Sequence, residues 1–207
     1  MDNRWHLISG EELYDMEINP GQTTDVAAAN PEIVGKLRTA YETWWNDISK
    51  NFDDYCEIII DTNVESPIRL TSHDTHTPTG VPTWNQVRVR QGARNNGFWV
   101  IDIAESGTYE FALRRYPVEA GRGLNETAPP TPPVPGGVGY PEGVRMNIVR
   151  AQLEIDGYVE QKTVTPDAEE ARFSVALNQG IARMKATFTD KDGEDFGAYY
   201  VYVIKTD

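Results

Sequence analysis

The sequence predicts a mainly β protein in which an antiparallel β-sandwich follows an N-terminal strand-turn-helix segment. From about residue 54 to the C-terminus, short runs of β-branched and aromatic residues alternate with turn residues. Many short strands at this spacing are typical of an antiparallel sandwich. Before residue 50, apolar residues instead recur at helical spacing after Asn30 and Pro31. These patterns predict one helix near the N-terminus and strands for most of the remaining chain.

The predicted helix begins where local chemistry favours a helix start. Asn30 is a favoured N-cap residue, Pro31 occupies the first helical position, and Glu32 places a negative charge at the positive end of the helix dipole. Its apolar stripe consists of Ile33, Val34, Leu37, Ala40, Tyr41, Trp44, Trp45 and Ile48. An exposed stripe with two tryptophans would be unusually large for a soluble monomer. We therefore expect the β-sandwich or a second copy of the chain to bury it.

A polar stretch at residues 46–54 separates the helix from the first strand-like run. We therefore place residues 1–50 in the N-terminal segment and residues 51–207 in the β-sandwich domain. Strands are predicted at residues 55–60, 68–71, 87–90, 98–103, 109–116, 147–155, 158–164, 172–177, 181–189 and 198–204. Asp156-Gly157 predicts a tight hairpin. The proline- and glycine-rich residues 118–143 predict a surface loop without regular structure.

The N-terminal segment carries several motifs in a fixed order. ELYDME at residues 12–17 is followed by NPGQTTDVA at residues 19–27 and by a proline-glutamate helix that ends in tryptophan. In this order and spacing, residues 4–50 resemble the C-terminal end of type I sulfatases. Asn19 and Asp25 stand where that family usually has Asp and Asn, and all of these residue types suit a turn.

The resemblance implies a parent enzyme that hydrolyses sulfate esters, with its catalytic groups upstream of these motifs. Sulfatases of this type use a formylglycine made from Cys or Ser in a C/S-x-P-x-R motif, beside a bound divalent metal. Cys56 lacks the proline and arginine of that motif, and Ser66-Pro67-Ile68-Arg69 has the wrong spacing. We therefore assign no catalytic residue and expect this chain alone to be inactive. Its expected partner is a sulfatase catalytic domain, or a second copy bound through the helix that carries Trp44 and Trp45.

The strand pattern of residues 54–204 resembles jelly-roll modules that bind carbohydrate, and the C-terminal extensions of some bacterial sulfatases. This resemblance implies a jelly-roll-like sandwich that packs on a catalytic domain or contacts a glycan. An autonomous carbohydrate-binding module and a purely structural or subunit-contact domain remain alternatives. The candidate ligand residues are two aromatic side chains in predicted loops and two adjacent arginines: Trp84, Tyr140, Arg114 and Arg115. Aromatic rings stack on sugar rings, and arginine grips oxyanions with two hydrogen bonds.

Two clusters contain side chains that metals prefer. His73, Asp74 and His76 include suitable zinc ligands, but a zinc site usually needs further partners, so a polar loop is the favoured interpretation. Residues 190–195 alternate acidic side chains as calcium loops do, but lack the closing glutamate. We therefore predict no metal or cofactor, with calcium as a minor alternative because jelly-roll modules often hold one.

Composition excludes several classes of function. The formal net charge of −13, with 32 acidic against 19 basic residues, argues against a nucleic-acid-binding surface. No apolar run approaches the length of a membrane span, and Met1 is not followed by a signal peptide. A periplasmic or extracellular location is expected only if the parent sulfatase is exported. One cysteine excludes an internal disulfide framework.

Overall fold

The computed structural model describes residues 4–60, 66–78 and 81–207. The chain divides into two compact units, Met1–Tyr55 and Cys56–Asp207. The sequence places the boundary after residue 50, and the structure places it five residues later. Within the described ranges, no helix is both long enough and apolar enough to cross a membrane.

The N-terminal unit consists of a short hairpin and one long helix. Strands β1 (Trp5–Ile8) and β2 (Glu12–Asp15) pair antiparallel, and helix α1 spans Pro31–Ile48. Proline stands at the start of α1 as predicted, but the side chain of Asn30 does not cap it. Instead, the side-chain amide nitrogen of Asn30, Nδ2, donates to the carbonyl oxygen of Val26 (2.9 Å).

One carboxylate fixes the turn between the hairpin and α1. Asp25 Oδ1 accepts hydrogen bonds from the backbone N–H groups of Leu13 (2.9 Å) and Ala27 (2.8 Å). The bond from Ala27, followed by that from Leu13, holds the pKa of Asp25 below its usual value, because both favour the charged form. Asp25 is therefore well suited to its position in this turn.

The hairpin covers only the first half of α1. Leu37 is buried, whereas Trp44 and Trp45 are 54% and 41% exposed, so the hairpin does not bury the whole stripe, and its burial by a second copy stays a prediction. The reason is length: four-residue strands extend about 13 Å, and an 18-residue helix extends about 27 Å. The exposed rings contact one another, with centroids 5.1–6.4 Å apart, and we call this group the aromatic cluster: Tyr41, Trp44, Trp45 and Phe52.

The Cys56–Asp207 unit contains two β-sheets. The first has the strand order β3-β5-β10-β7-β8, with β11 also paired to β10, and the second has the order β4-β12-β6-β9. The strands are β3 (Ile58–Ile60), β4 (Ile68–Thr71), β5 (Trp99–Ile103), β6 (Gly107–Arg114), β7 (Ile148–Ile155), β8 (Tyr158–Thr163), β9 (Ala171–Leu177), β10 (Gly180–Asp190), β11 (Asp195–Gly197) and β12 (Tyr200–Lys205). Among the strands that the structure describes in this unit, β3 pairs parallel with β5 and the other pairings are antiparallel.

The inner faces of the two sheets share one apolar core. Trp99 and Phe188 from the first sheet and Phe111 and Val201 from the second belong to the same buried cluster. Along β9, buried and exposed residues alternate strictly, as expected for a strand with one face on the core. The predicted antiparallel β-sandwich is therefore confirmed, as is the N-terminal strand-turn-helix segment.

One predicted strand is a helix. Residues 87–90 alternate apolar and basic side chains, yet helix α2 spans Gln86–Arg90. Asn85 caps this helix, because its side-chain oxygen accepts from the backbone N–H of Arg88 (2.9 Å). Gly92, at φ 67°, adopts a left-handed conformation just beyond the helix. The cap and the glycine favour one short helical segment over the strand that alternation alone indicates.

Candidate functional site

A cleft of about 220 Å³ surrounds the exposed side chain of Trp84. It lies where the end of β4, the segment before α2 and the start of β12 meet. Its lining residues are mostly uncharged and polar: Thr71, Ser72, His73, Thr83, Trp84, Asn85, Gln86, Val89 and Tyr200. The cleft therefore combines an aromatic surface with hydroxyl, amide and imidazole groups.

The neighbours of Trp84 hold its backbone in place. On one side of Trp84, the carbonyl oxygen of the buried Thr83 accepts a hydrogen bond from Ser72 Oγ (2.8 Å). On the other side, Asn85 caps α2. Trp84 itself is 54% exposed, and its indole N–H donates to no residue that the structure describes. An exposed indole on a fixed backbone is suited to contact a ligand, since little conformational freedom is lost on binding.

The base of the cleft is built on the pairing of β4 with β12. Thr71 is opposite Tyr200 in the ladder, and the carbonyl oxygen of Thr71 accepts from Trp99 Nε1 in the core (2.9 Å). Gln86 Nε2 donates to Tyr200 Oη. Burial raises the pKa of Tyr200, so its phenol stays neutral at physiological pH.

The suspected histidine metal cluster is a polar loop. Asp74 Oδ2 accepts from the backbone N–H (3.1 Å) and hydroxyl (2.8 Å) of Thr71, which forms a capping box. His73 is exposed at the cleft, whereas His76 contacts Phe98 with ring centroids 5.5 Å apart. Across residues 4–60, 66–78 and 81–207, no group of three His, Cys, Asp or Glu side chains is arranged to hold a metal ion.

The acidic side chains at the end of β10 and in the loop after it form hydrogen bonds or ion pairs within the protein. The buried Asp190 accepts from the backbone N–H groups of Glu194 (3.0 Å) and Asp192 (2.9 Å), and Arg94 Nη1 lies 2.7 Å from its second oxygen. These contacts, led by the bond from Glu194, lower the pKa of Asp190. The loop is thus arranged around an ion pair with Arg94.

Tyr140 lies outside the Trp84 cleft. The guanidinium carbon of Arg90 stands 5.1 Å from the centroid of the Tyr140 ring, which is 43% exposed. Arg90 also donates to the carbonyl oxygens of Pro129 (2.7 Å) and Pro141 (3.1 Å), so the tyrosine is held within the proline-rich loop. Trp84 precedes α2 and Arg90 ends it. The two aromatics are therefore at opposite ends of a short helix and do not share the cleft.

Arg115 is a buried structural residue, which corrects its assignment as a ligand contact. Its guanidinium donates to the carbonyl oxygens of Glu126 (3.0 Å), Val89 (3.3 Å), Arg90 (3.1 Å) and Val144 (2.9 Å). Burial lowers the pKa of Arg115, and no side-chain carboxylate of the described residues accepts from it. Arg115 therefore ties the end of α2 to the proline-rich loop.

Arg114 is also buried and belongs to an ion-pair network. Its Nη1 pairs with Glu170, and its Nη2 lies 3.4 Å from Glu169. The alternation of β6 predicts that one of two adjacent arginines faces solvent, but residues 111–116 are all buried. Neighbouring loops bury the end of this strand, and the alternation of residues within a strand cannot predict that burial. Neither arginine is available to a ligand.

Sequence reasoning proposed Trp84 as a candidate ligand residue but did not point to Gln86 or Tyr200, which line the same cleft. Gln86 directly follows the Trp84-Asn85 pair, so an amide beside an exposed aromatic was a usable signal. Tyr200 lies in a strand more than a hundred residues away, and only the β4–β12 pairing brings it to the site.

No known family model matches the chain, and no curated protein matches it. Solved structures with a similar arrangement include a family 35 carbohydrate-binding module from Clostridium thermocellum, at 17% identity and TM-score 0.35, covering 69% of this chain and 100% of that one. The CBM35 from Cellvibrio japonicus Abf62 gives 17% identity and TM-score 0.34, covering 70% and 91%. A ruminal GH26 endo-beta-1,4-mannanase gives 12% identity and TM-score 0.35 over 71% of this chain, which spans 27% of that enzyme. At TM-scores this low, the resemblance does not say what this chain binds.

Proposed function

We propose that the Cys56–Asp207 unit is a carbohydrate-binding β-sandwich and that its ligand contacts Trp84. The observation that carries this proposal is the exposed indole beside hydroxyl and amide groups, in a cleft anchored to the β4–β12 pair. A sugar ring presents apolar C–H faces for stacking and hydroxyl groups at its edge. Trp84 would stack on the C–H face of the sugar ring, and Gln86 and Tyr200 are placed to form hydrogen bonds with its hydroxyl groups.

The lining of the cleft favours a neutral sugar. Its polar groups are hydroxyls, amides and the His73 imidazole, and it contains neither a carboxylate nor a lysine or arginine. The volume of about 220 Å³ is below the usual range of enclosed small-molecule sites, roughly 300–1,000 Å³. Such a cleft suits one sugar unit at the end of a chain, bound weakly.

Binding of the full chain to neutral oligosaccharides on a glycan array, followed by titration calorimetry, tests this function. Trp84→Ala should weaken the affinity for the bound glycan about fivefold, since an aromatic contact contributes about 1 kcal/mol. Tyr140→Ala is the matched control, an exposed loop aromatic outside the cleft, and should bind like the wild type. Unchanged binding by Trp84→Ala would show that the ligand site lies elsewhere.

The N-terminal unit supports a second role, as a part of a sulfatase-like protein. The segment that resembles a sulfatase C-terminus also carries the exposed aromatic cluster, a surface of the kind that a partner covers. We propose a sulfatase catalytic domain as that partner, with this chain supplying packing and no catalytic group. Purified chain should not cleave p-nitrophenyl sulfate, and reproducible turnover by it would contradict this role.

Sequencing immediately upstream of the coding region offers a direct test of this second role. An open frame that carries C/S-x-P-x-R and joins this chain would support it. Co-expression of the two parts should then give a complex that Trp44→Ser with Trp45→Ser weakens. A complex that forms equally well with the double variant would exclude the aromatic cluster as the contact surface.

A further inference from the structure

We infer that the Cys56–Asp207 unit has a second carbohydrate site, on the outer face of its first sheet. An open groove of about 340 Å³ lies across β7, β10 and β11, and we call it the sheet groove. The residues of its lining that carry the inference are Asn96, Phe98, Gln152, Lys185, Thr187 and Asp195. It shares no lining residue with the Trp84 cleft. The ligand class rests on the proposed function, but the location does not.

Strand register creates the groove. Along β10, Met184, Ala186 and Phe188 are buried in the core, which turns Lys185 and Thr187 to the outer face. Thr187 is opposite Gln152 on β7 and opposite Gly197 on β11. Because Gly197 has no side chain, the backbone of Asn95 can pack closely beside it.

A tightly held segment forms one wall of the groove. The backbone N–H of Gly197 donates to the carbonyl oxygen of Asn95 (2.7 Å), and a Cβ at Gly197 would lie only 2.9 Å from that oxygen. Asn96 Nδ2 donates to the carbonyl oxygen of Asp195 (3.0 Å). The chain entering β5 is thus fixed against β11, and it places the ring of Phe98 at the groove.

Polar groups in the groove retain hydrogen-bonding capacity. The hydroxyl of Thr187 has no hydrogen-bond partner within the described part of the chain. Gln152 Oε1 accepts one long bond from Gln161 (3.5 Å), and Lys185 lies 3.9 Å from Glu154, which is a weak exposed pair. A hydroxyl, an amide and an ammonium group therefore stand in one patch, available to a ligand.

The ionisable side chains that line the groove are one lysine and one aspartate, and the guanidinium carbon of Arg183 lies 4.9 Å from the centroid of the Phe98 ring. Lys185 contributes one positive charge and Asp195 one negative charge, and Asp195 Oδ1 already accepts from the Thr189 hydroxyl (2.6 Å). An anionic ligand would meet Asp195, and a cationic ligand would meet Lys185. A neutral polyol uses both, because its hydroxyls donate and accept, and Phe98 offers apolar surface to its C–H groups. The volume falls within the range of small-molecule sites, so the groove has room for a neutral oligosaccharide.

Titration calorimetry of the full chain with the neutral oligosaccharide identified on the array tests the second site. We expect two binding events for the wild type. Gln152→Ala with Lys185→Ala should weaken one event about fivefold or more and leave the other unchanged, since it removes hydrogen bonds of about 1 kcal/mol each. Trp84→Ala should affect only the other event. The control variant is Ile181→Ala with Lys191→Ala, which should bind like the wild type. It changes an exposed residue of β10 and the exposed residue that follows β10, and neither lines the groove.

Each outcome separates the two sites. One binding event that Trp84→Ala weakens and the groove variant does not would overturn the sheet groove and leave the proposed function standing. One event that only the groove variant weakens would support the groove and reject the Trp84 cleft. Amide signals of Gln152 and Asn96 in nuclear magnetic resonance spectra should shift on titration. Absence of binding to every glycan would overturn both sites.

Discussion

Arg115 donates a hydrogen bond to the carbonyl oxygen of Arg90 (3.1 Å), so a buried guanidinium closes the C-terminal end of α2. The same group reaches Val144 in the proline-rich loop (2.9 Å). Because α2 begins two residues after Trp84, Arg115 supports the arrangement of the cleft without lining it. The predictions below begin with this residue.

Arg115→Met should lower the free energy of unfolding by about 2–4 kcal/mol, because four backbone carbonyl oxygens each lose a hydrogen bond from a buried, charged donor. Arg115→Lys should recover part of the loss, since an ammonium satisfies fewer of them. Urea denaturation provides the measurement, and Arg88→Met on the same helix is the control. Equal stability of Arg115→Met and the wild type would show that the carbonyls find other partners.

Trp84→Ala should leave the thermal stability almost unchanged, with a loss below about 1 kcal/mol, because more than half of the side chain is already exposed. Trp99→Ala, in the core of the same unit, should cost about 3–5 kcal/mol. Thermal denaturation followed by circular dichroism compares the two. A large loss for Trp84→Ala would make that residue part of the core and remove it from the ligand site.

Asp190→Asn should destabilise the protein by roughly 1–2 kcal/mol at pH 7, since it removes a charge that Arg94 and two backbone amides stabilise. The folded pKa of Asp190 lies below its usual 3.8. The charged group therefore contributes stability above pH 3.8, and that contribution is lost as the pH falls through the folded pKa.

The difference between wild type and Asp190→Asn should accordingly be largest near neutral pH and shrink below about pH 4. Urea denaturation at several pH values measures it. Asp192→Asn changes an exposed carboxylate of the same loop and should show little effect. A difference that stays constant down to pH 2 would rule out the ion pair as its source.

The aromatic cluster at the C-terminal half of α1 and just beyond it should drive association of the chain in the absence of another partner. Trp44→Ser with Trp45→Ser should remove any concentration-dependent dimer seen by sedimentation, at a cost to stability of about 1 kcal/mol or less, because both indoles are substantially exposed. Ile18→Ser removes an exposed apolar side chain of the same unit outside the cluster and is the control. A wild-type chain that remains monomeric at high concentration would contradict this prediction.

Local sequence signals identified most of the sandwich. Asp156-Gly157 forms the predicted hairpin between β7 and β8, with both residues at positive φ. The strict alternation of residues 172–177 correctly indicated β9. The parallel pairing of β3 with β5 left no such signal, because pairing direction depends on the route of the intervening chain.

The two candidate sites were harder to predict, because their residues come together only through the pairing of distant strands. Trp84 was recognisable from its loop context, but Tyr200 and the sheet groove depend on strand register between distant segments. The arginine assignments failed for a related reason, since alternation in β6 could not reveal the loops that bury Arg114 and Arg115. Local sequence signals therefore predicted that Trp84 is exposed, whereas its neighbour Tyr200 in the cleft depends on packing between distant segments.

The position of β12 in the second sheet affects how the protein folds during synthesis. This strand lies between β4 and β6, although its residues, Tyr200–Lys205, are translated after the other strands described in that sheet. Until they leave the ribosome, β4 and β6 lack the neighbour that joins them, and their unpaired edges stay open to solvent and to chaperones. A translation stop just before residue 200 should therefore yield an aggregation-prone chain that contains nearly all of the core.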